Sequence, residues 1–152
     1  MDTFPPPSDG TDTYEEVLAA RGARQLLVVG GGRGGVGKSL VAQNLAIYFA
    51  QLGKSVLLVD ADPTGANMHA QFGVPAAAEA PPIEPTAQKQ FEKYLVATSV
   101  PGLSLLPYAH DALEPPAQIR AGRKARWLAR VRGVPADYVV VDTGPGHTPL
   151  AL

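Results

Sequence analysis

The sequence contains no cysteine, and other marks of specialised protein classes are also scarce. Without a cysteine among its 152 residues, the printed chain can form no disulfide, thiolate metal site or iron–sulfur cluster. Lysine plus arginine (13) nearly balance aspartate plus glutamate (14), so no overall charge favours nucleic acid or an anionic membrane. No apolar run approaches the ~18 residues of a membrane helix, and residues 1–5 lack the basic and apolar regions of a signal peptide. We therefore expect a cytoplasmic protein.

The residues that are present predict a short acidic segment followed by one globular domain. Residues 1–16 contain five acids, no base and three consecutive prolines, which favours a mobile tail. We assign 1–24 to this tail and 25–152 to the domain, whose hydrophobic content of 45% across the chain is typical of globular proteins. The domain's last predicted strand lies close to Leu152 with no helix after it, so we expect a domain that is incomplete at its C-terminus.

Apolar runs and helical periodicity predict alternating strands and helices. Strands are predicted at 25–29, 56–59, 103–106 and 138–141, and helices at 39–52, 66–72, 88–97 and 117–132. This alternation indicates an α/β fold in which helices cover both faces of a mainly parallel sheet. The first strand is short and almost wholly apolar, which predicts burial on both of its faces.

A glycine-rich segment between the first strand and the first long helix matches a phosphate-binding motif. Gly32 to Ser39 fits Gly-x-x-x-x-Gly-Lys-[Ser/Thr]. In such a loop main-chain N–H groups surround phosphate oxygens, Lys38 reaches the β/γ-phosphates and the Ser39 hydroxyl ligates Mg²⁺. The predicted nucleotide contacts are Gly32, Arg33, Gly34, Gly35, Val36, Gly37, Lys38, Ser39 and Leu40, with Gly146 from a later loop. A plain glycine-rich turn is the alternative.

The same loop also fits a second motif. Gly30 to Gly35 matches the dinucleotide pattern Gly-x-Gly-x-x-Gly, and Asp60 ends the next strand as a ribose-binding acid would. A dinucleotide site does not require a lysine and a serine at positions 38 and 39. The presence of Lys38 and Ser39 therefore favours the phosphate loop. Binding of NADH without binding of ATP would establish the alternative.

Acidic residues follow two further strands. Asp142 ends an apolar strand, where such a carboxylate orients the Mg²⁺ shell, and residues 143–146 form a candidate switch loop. Asp62 is predicted to position and partly deprotonate the water that attacks the phosphate. An N-terminal cap is the alternative for Asp62, and an ordinary loop residue the alternative for Asp142.

Residues 31–62 together resemble the deviant-Walker ATPases of the MinD/ParA family. The shared features are Gly-Gly-Val-Gly-Lys-Ser at 34–39, Asn-Leu-Ala at 44–46 and Asp-Ala-Asp at 60–62, and 137–146 looks like the family's second Asp strand and switch loop. Residues 65–69 favour the MinD and flagellar-number (FlhG/FleN-like) branch. The resemblance implies a P-loop NTPase fold, Mg²⁺·ATP binding, and Asp60 as a further support of the metal shell beside Ser39 and Asp142.

The resemblance also implies a spatial regulator of cell division, chromosome or plasmid partition, or flagellar placement. ADP-bound monomers would form a face-to-face dimer around two ATP molecules, and a protein partner would stimulate slow hydrolysis. The family's signature Lys is here replaced by Arg33, which keeps the charge but not the shape. The predicted catalytic residues are therefore Asp62, Lys38 and Arg33, although Arg33 could equally be a solvated loop residue.

Other functions stay open at this stage. A metabolic P-loop enzyme, such as an ATP-dependent ligase or kinase, and a non-hydrolysing ATP-binding module both fit the loop.

The predicted helix 117–132 carries six bases and no acid, which is either a solvated face or a surface for DNA, lipid or the acidic tail. The three histidines have no metal-ligand spacing. An incomplete sheet would expose an apolar edge, so we also expect self-association.

Overall fold

The computed structural model of the chain describes residues 25–62, 65, 67–76, 88–107 and 121–145. Its strands are β1 Gln25–Gly31, β2 Val56–Asp60, β3 Val96–Ala97, β4 Leu103–Leu106 and β5 Tyr138–Pro145. Its helices are α1 Lys38–Gln51, α2 Met68–Gln71, α3 Gln88–Glu92 and α4 Ala121–Gly133. The predicted tail at 1–24 and the predicted contact Gly146 lie outside the described residues.

The five described strands form one sheet in the order β1-β5-β2-β4-β3. The pairs β1·β5, β5·β2 and β2·β4 are parallel, and only β3·β4 is antiparallel. Asp60 at the end of β2 pairs in register with Asp142 of β5, which in turn pairs with Val29 of β1. The carboxyl ends of three strands therefore meet at one edge, where ligands bind in open α/β sheets.

Helices cover both faces of the sheet, because alternate residues of its central strands point to opposite sides. On one face, Leu57, Val59, Val139 and Val141 pack with Phe91 of α3 and Val131 of α4. On the other face, Leu58 and Val140 pack with the alanines of α1, Ala42, Ala46 and Ala50. These alanines are 0–7% exposed, and their small side chains let the helix lie close to the sheet. The expected three-layer α/β/α arrangement is confirmed.

Three element predictions are corrected. The strand predicted at 138–141, with a switch loop at 143–146, continues to Pro145 as β5. β1 is not buried on both faces: none of its residues is fully buried, Val28 is 57% exposed, and β5 is its one partner among the described strands. The predicted helix 88–97 ends at Glu92, and Val96–Ala97 instead forms an antiparallel strand against β4. Thr98 closes that hairpin, because its hydroxyl donates to the carbonyl oxygen of Leu103 at 2.9 Å.

Within the described ranges, helix length and composition rule out a bilayer crossing, since no helix there combines sufficient length with sufficient apolar character. The longest of them, α1, has 14 residues.

Candidate functional site

The glycine loop lies between the end of β1 and the start of α1, where its backbone takes a conformation that favours glycine. Gly35 and Gly37 have φ angles of +73° and +88°, in the left-handed region that side chains with a Cβ rarely adopt. Gly37 immediately precedes α1, and its carbonyl oxygen accepts from the N–H of Val41 at 3.0 Å. The unpaired N–H groups of the first helical turn therefore face the loop, which is the arrangement that binds phosphate.

Lys38 is held against the loop rather than extended into solvent. Its Nζ donates to the carbonyl oxygen of Arg33 at 2.7 Å. A Cβ on Gly31 would lie 3.3 Å from Cδ of Lys38, so the glycine leaves room for the lysine stem. The ammonium group is thus already positioned over the loop, whereas Arg33, Val36 and Leu40 are exposed.

Two buried aspartates stand side by side at the carboxyl edge of the sheet. Asp60 is 3% exposed and Asp142 is 1% exposed. Burial raises the pKa of Asp60 from 3.8 to about 6, opposed by hydrogen bonds from backbone amides and reinforced by the negative charges of Asp142 and Asp62. The two Asp60 oxygens accept from the N–H groups of Asp62 and Met68, at 3.4 and 3.2 Å. Asp60 therefore ties together the loop that follows β2.

Among the described residues, no group donates a hydrogen bond to one of the two carboxylate oxygens of Asp142. Its Oδ1 accepts a long hydrogen bond of 3.5 Å from the N–H of Gly144, while its buried Oδ2 has no hydrogen-bond partner. A buried unpaired carboxylate oxygen is costly and fits a hydrated cation. No cluster of three or more His, Cys, Asp or Glu suited to a metal was found among the described residues, but Mg²⁺ commonly uses few protein ligands together with phosphate and water. Half-buried Ser39 and Asp142 fit that pattern.

Asp62 lies between two glycines. A Cβ built on Gly144 would fall 2.5 Å from Oδ1 of Asp62, and one on Gly65 would fall 3.3 Å from its Oδ2. Only the absence of a side chain at Gly144 lets the carboxylate lie against the end of β5. Asn67 is the residue that precedes α2, and Asp60 accepts a hydrogen bond from the N–H of Met68, the first residue of α2.

The structure draws attention to two further residues whose roles the sequence did not indicate. The Thr143 hydroxyl donates to the carbonyl oxygen of Val29 at 3.3 Å and therefore links β5 to the start of the glycine loop. Gln43 of α1 is 7% exposed, and its Nε2 has no hydrogen-bond partner. Thr143 belongs to the predicted switch loop, so its position could be found from the sequence. The apolar repeat of the predicted helix 39–52 gives no signal for Gln43.

A glycine loop between a strand and a helix, with buried aspartates at the ends of neighbouring parallel strands, defines a P-loop NTPase. The family model described as "ParA: NUBPL iron-transfer P-loop NTPase" matches residues 22–152. The chain therefore belongs to the ParA family of P-loop NTPases, and the resemblance to MinD/ParA proteins is confirmed. This assignment favours the phosphate-loop interpretation over a dinucleotide site.

The relatives include proteins with different names and tasks. The chain is 34% identical over 125 residues to the chromosome-partitioning ATPase Soj of Thermus thermophilus, which covers 79% of this chain and 46% of Soj. It is 49% identical over 53 residues to an iron–sulfur cluster carrier protein of Aquifex aeolicus, covering 35% of this chain and 15% of the relative. It thus spans less than half the length of each.

A solved structure supports the fold. The septum site-determining protein MinD of Pyrococcus horikoshii, in complex with Mg-ADP, superposes with a TM-score of 0.58 at 20% identity. The match covers 84% of this chain and 52% of that one. The roles predicted for individual residues of the site stay predictions.

Proposed function

We propose that this chain is the nucleotide-binding part of a Mg²⁺·ATP-dependent ATPase that works as a dimerising switch in spatial organisation. The processes in question are cell division, chromosome or plasmid partition, and flagellar placement. The observation that carries the proposal is the unpaired buried Oδ2 of Asp142, one strand away from the glycine loop. Such an arrangement supports binding of a cation together with a polyphosphate.

Each residue of the site has a distinct part in this proposal. When nucleotide binds, Nζ of Lys38 breaks its hydrogen bond to the carbonyl oxygen of Arg33 and contacts the β- and γ-phosphates. The N–H groups of the loop surround these phosphates. Ser39 and Asp142 hold the Mg²⁺ shell, and Mg²⁺ neutralises phosphate charge when bound. Asp60, whose oxygens both accept from backbone amides, supports that shell by fixing the loop after β2.

Asp62 orients the attacking water and accepts its proton. Its carboxylate lies against Gly144, in the segment predicted to change conformation when the γ-phosphate leaves. Hydrolysis and movement of this segment are thereby coupled through one direct contact. An activating protein partner would act by stabilising the productive position of Asp62.

Arg33 extends the site to a second subunit. Its carbonyl oxygen is engaged by Lys38, whereas the residue is exposed. A guanidinium on the surface of the loop can contact the phosphates of a facing subunit, which makes dimerisation depend on ATP. Because Arg binds phosphate through a planar fork and Lys through a compact charge, hydrolysis here is expected to be gated differently from that of relatives with the signature Lys.

The experiment compares Asp62→Asn with Lys38→Ala in the full-length protein. Asp62→Asn should bind ATP and accumulate as an ATP-dependent dimer in light scattering, with phosphate release reduced about 100-fold. Lys38→Ala should neither bind nor dimerise, and Lys54→Ala, an exposed lysine outside the site, should behave as the parent. Phosphate release that requires a small-molecule acceptor would instead indicate a metabolic enzyme, and ATP binding without any release a binding module.

A second candidate is an iron–sulfur carrier. It is favoured by the family model's description and by the 49% identity to the Aquifex aeolicus carrier over 53 residues. Clusters are held mainly by cysteine thiolates, and the 152 residues include none, so this candidate requires cluster ligands from outside these residues. Anaerobic reconstitution with iron and sulfide, followed by visible absorption of the full-length protein, separates the two candidates.

A further inference from the structure

One surface of the molecule is strongly basic and is not used by the nucleotide site. It consists of Lys89 and Lys93 at α3 and of Arg126 and Arg130, one helical turn apart on α4, which we call the basic face. All except half-buried Arg130 are exposed. α4 contains no acid, and the one acid of α3, Glu92, accepts a hydrogen bond from Gln88 at 3.3 Å.

The two helices of the basic face are joined by a reciprocal contact. Gln88 Nε2 donates to the carbonyl oxygen of Arg130 at 3.2 Å, and Arg130 Nη1 donates to Gln88 Oε1 at the same distance. Val131 and the partly buried Trp127 of α4 pack into the core. The position of α4 is therefore fixed, and Arg126 is exposed on it.

The chain enters the described fold next to this surface. Gln25, the first residue of β1, donates its N–H to the carbonyl oxygen of Asp137 at 2.9 Å, just after the C-terminal end of α4. Leu26 packs against the cluster that includes Val131 and Val134. Residues 17–24 reach about 26 Å when extended, and the 13 residues of α4 span about 20 Å. Residues 1–16 can therefore reach the whole helix.

We propose that the acidic segment 1–16 docks on the basic face of its own chain. The segment carries Asp2, Asp9, Asp12, Glu15 and Glu16 and no base, which complements the four cations of the basic face. Because the segment is covalently attached, its effective concentration at the face is in the millimolar range, so individually weak ion pairs suffice. The docked segment covers a surface that would otherwise attract polyanions such as duplex DNA.

The absence of cysteine makes a distance measurement straightforward. Ser8→Cys combined with Ala129→Cys, on the exposed side of α4, accepts two spin labels in the full-length protein. Pulsed electron paramagnetic resonance should show a narrow, short distance at low salt that broadens at about 1 M salt, where the Debye length is ~3 Å. The matched pair Ser8→Cys with Gln51→Cys, on α1 across the sheet, should show no short distance at either salt concentration.

A charge-neutralised variant separates docking from chance proximity. Changing the five acids of 1–16 to Asn or Gln should abolish the short distance and tighten binding of a 20-base-pair duplex about tenfold. The control variant neutralises four acids elsewhere, Glu79, Glu84, Asp111 and Glu114, and should leave both readings unchanged. A short distance that survives neutralisation or high salt would overturn the proposal. A broad distance distribution in the parent, together with equal DNA binding by the parent and the neutralised variant, would also overturn it. That result would mean that the basic face binds nucleic acid alone.

Discussion

The contact between Asp62 and Gly144 allows a substitution that tests the proposed water-positioning role without altering Asp62. Gly144→Ala adds a methyl group whose carbon would lie 2.5 Å from Oδ1 and 2.6 Å from Cγ of Asp62. Ordinary contacts begin about 0.9 Å further out, so the carboxylate must move by roughly that amount, since Gly144 is part of a buried strand. A displacement of about 1 Å at a reacting group costs on the order of 100-fold in rate.

The substitution also strains the backbone. Gly144 has a φ of +70°, and a side chain in this region costs about 1–2 kcal/mol. Gly53→Ala is the matched control, because Gly53 has a φ of +77° and no atom within 4 Å of the added Cβ. Both variants should lose about 1–2 kcal/mol of unfolding free energy in urea titrations.

Only Gly144→Ala should lose hydrolysis. Phosphate release should fall about 100-fold, with ATP affinity by calorimetry within about threefold of the parent, since Lys38 and the glycine loop are unchanged. Gly53→Ala should hydrolyse ATP at the parent rate. Equal hydrolysis in Gly144→Ala and the parent would refute the assignment of Asp62, and equal loss in both variants would attribute the effect to backbone strain.

Three further predictions concern the loop, the buried acid and the sheet edge. Arg33→Ala should weaken ATP-dependent dimerisation in light scattering at least tenfold more than ATP binding, and equal loss of both would contradict a cross-subunit contact. Because burial raises the pKa of Asp60 from 3.8 to about 6, the native state holds this proton more tightly than the unfolded chain. Without Mg²⁺, the unfolding free energy of the parent should therefore fall by about 2 kcal/mol as the pH rises from 4.5 to 7. Asp60→Asn should not show this loss. Parallel pH profiles of the two proteins would disprove the raised pKa of Asp60. The 152-residue chain should self-associate through the β1 edge, where Val28 is 57% exposed, and Val28→Lys should reduce this in size-exclusion chromatography; a monomeric parent would contradict it.

The elements nearest the glycine loop were the most predictable. β1, the loop and α1 carry local signals: an apolar run, glycines where the backbone needs a positive φ, and a helical repeat. The apolar runs that lead to Asp60 and Asp142 were predictable for the same reason, although β5 continues past Asp142 to Pro145. Their position as register neighbours was not, because it depends on the sheet order β1-β5-β2.

The misassigned elements show where local signals fail. Residues 88–97 have a composition compatible with a helix, but β4 offers Val96 a partner across a tight turn, and tertiary pairing prevails over weak helix propensity. β1 has the composition of a central strand yet has one partner in the described sheet. The contact of Asp62 with Gly144 joins the loop after β2 to the end of β5, which is distant in sequence, so no spacing rule could have revealed it.

The central claim is that backbone amides of the glycine loop and the ammonium of Lys38 bind a polyphosphate with Mg²⁺. Isothermal titration calorimetry of the full-length protein with Mg²⁺·ATP tests it most directly, alongside Lys38→Ala and the control Lys54→Ala. We predict saturable binding for the parent and for Lys54→Ala, and affinity at least 100-fold weaker for Lys38→Ala. No binding by the parent, or unchanged affinity in Lys38→Ala, would contradict the account.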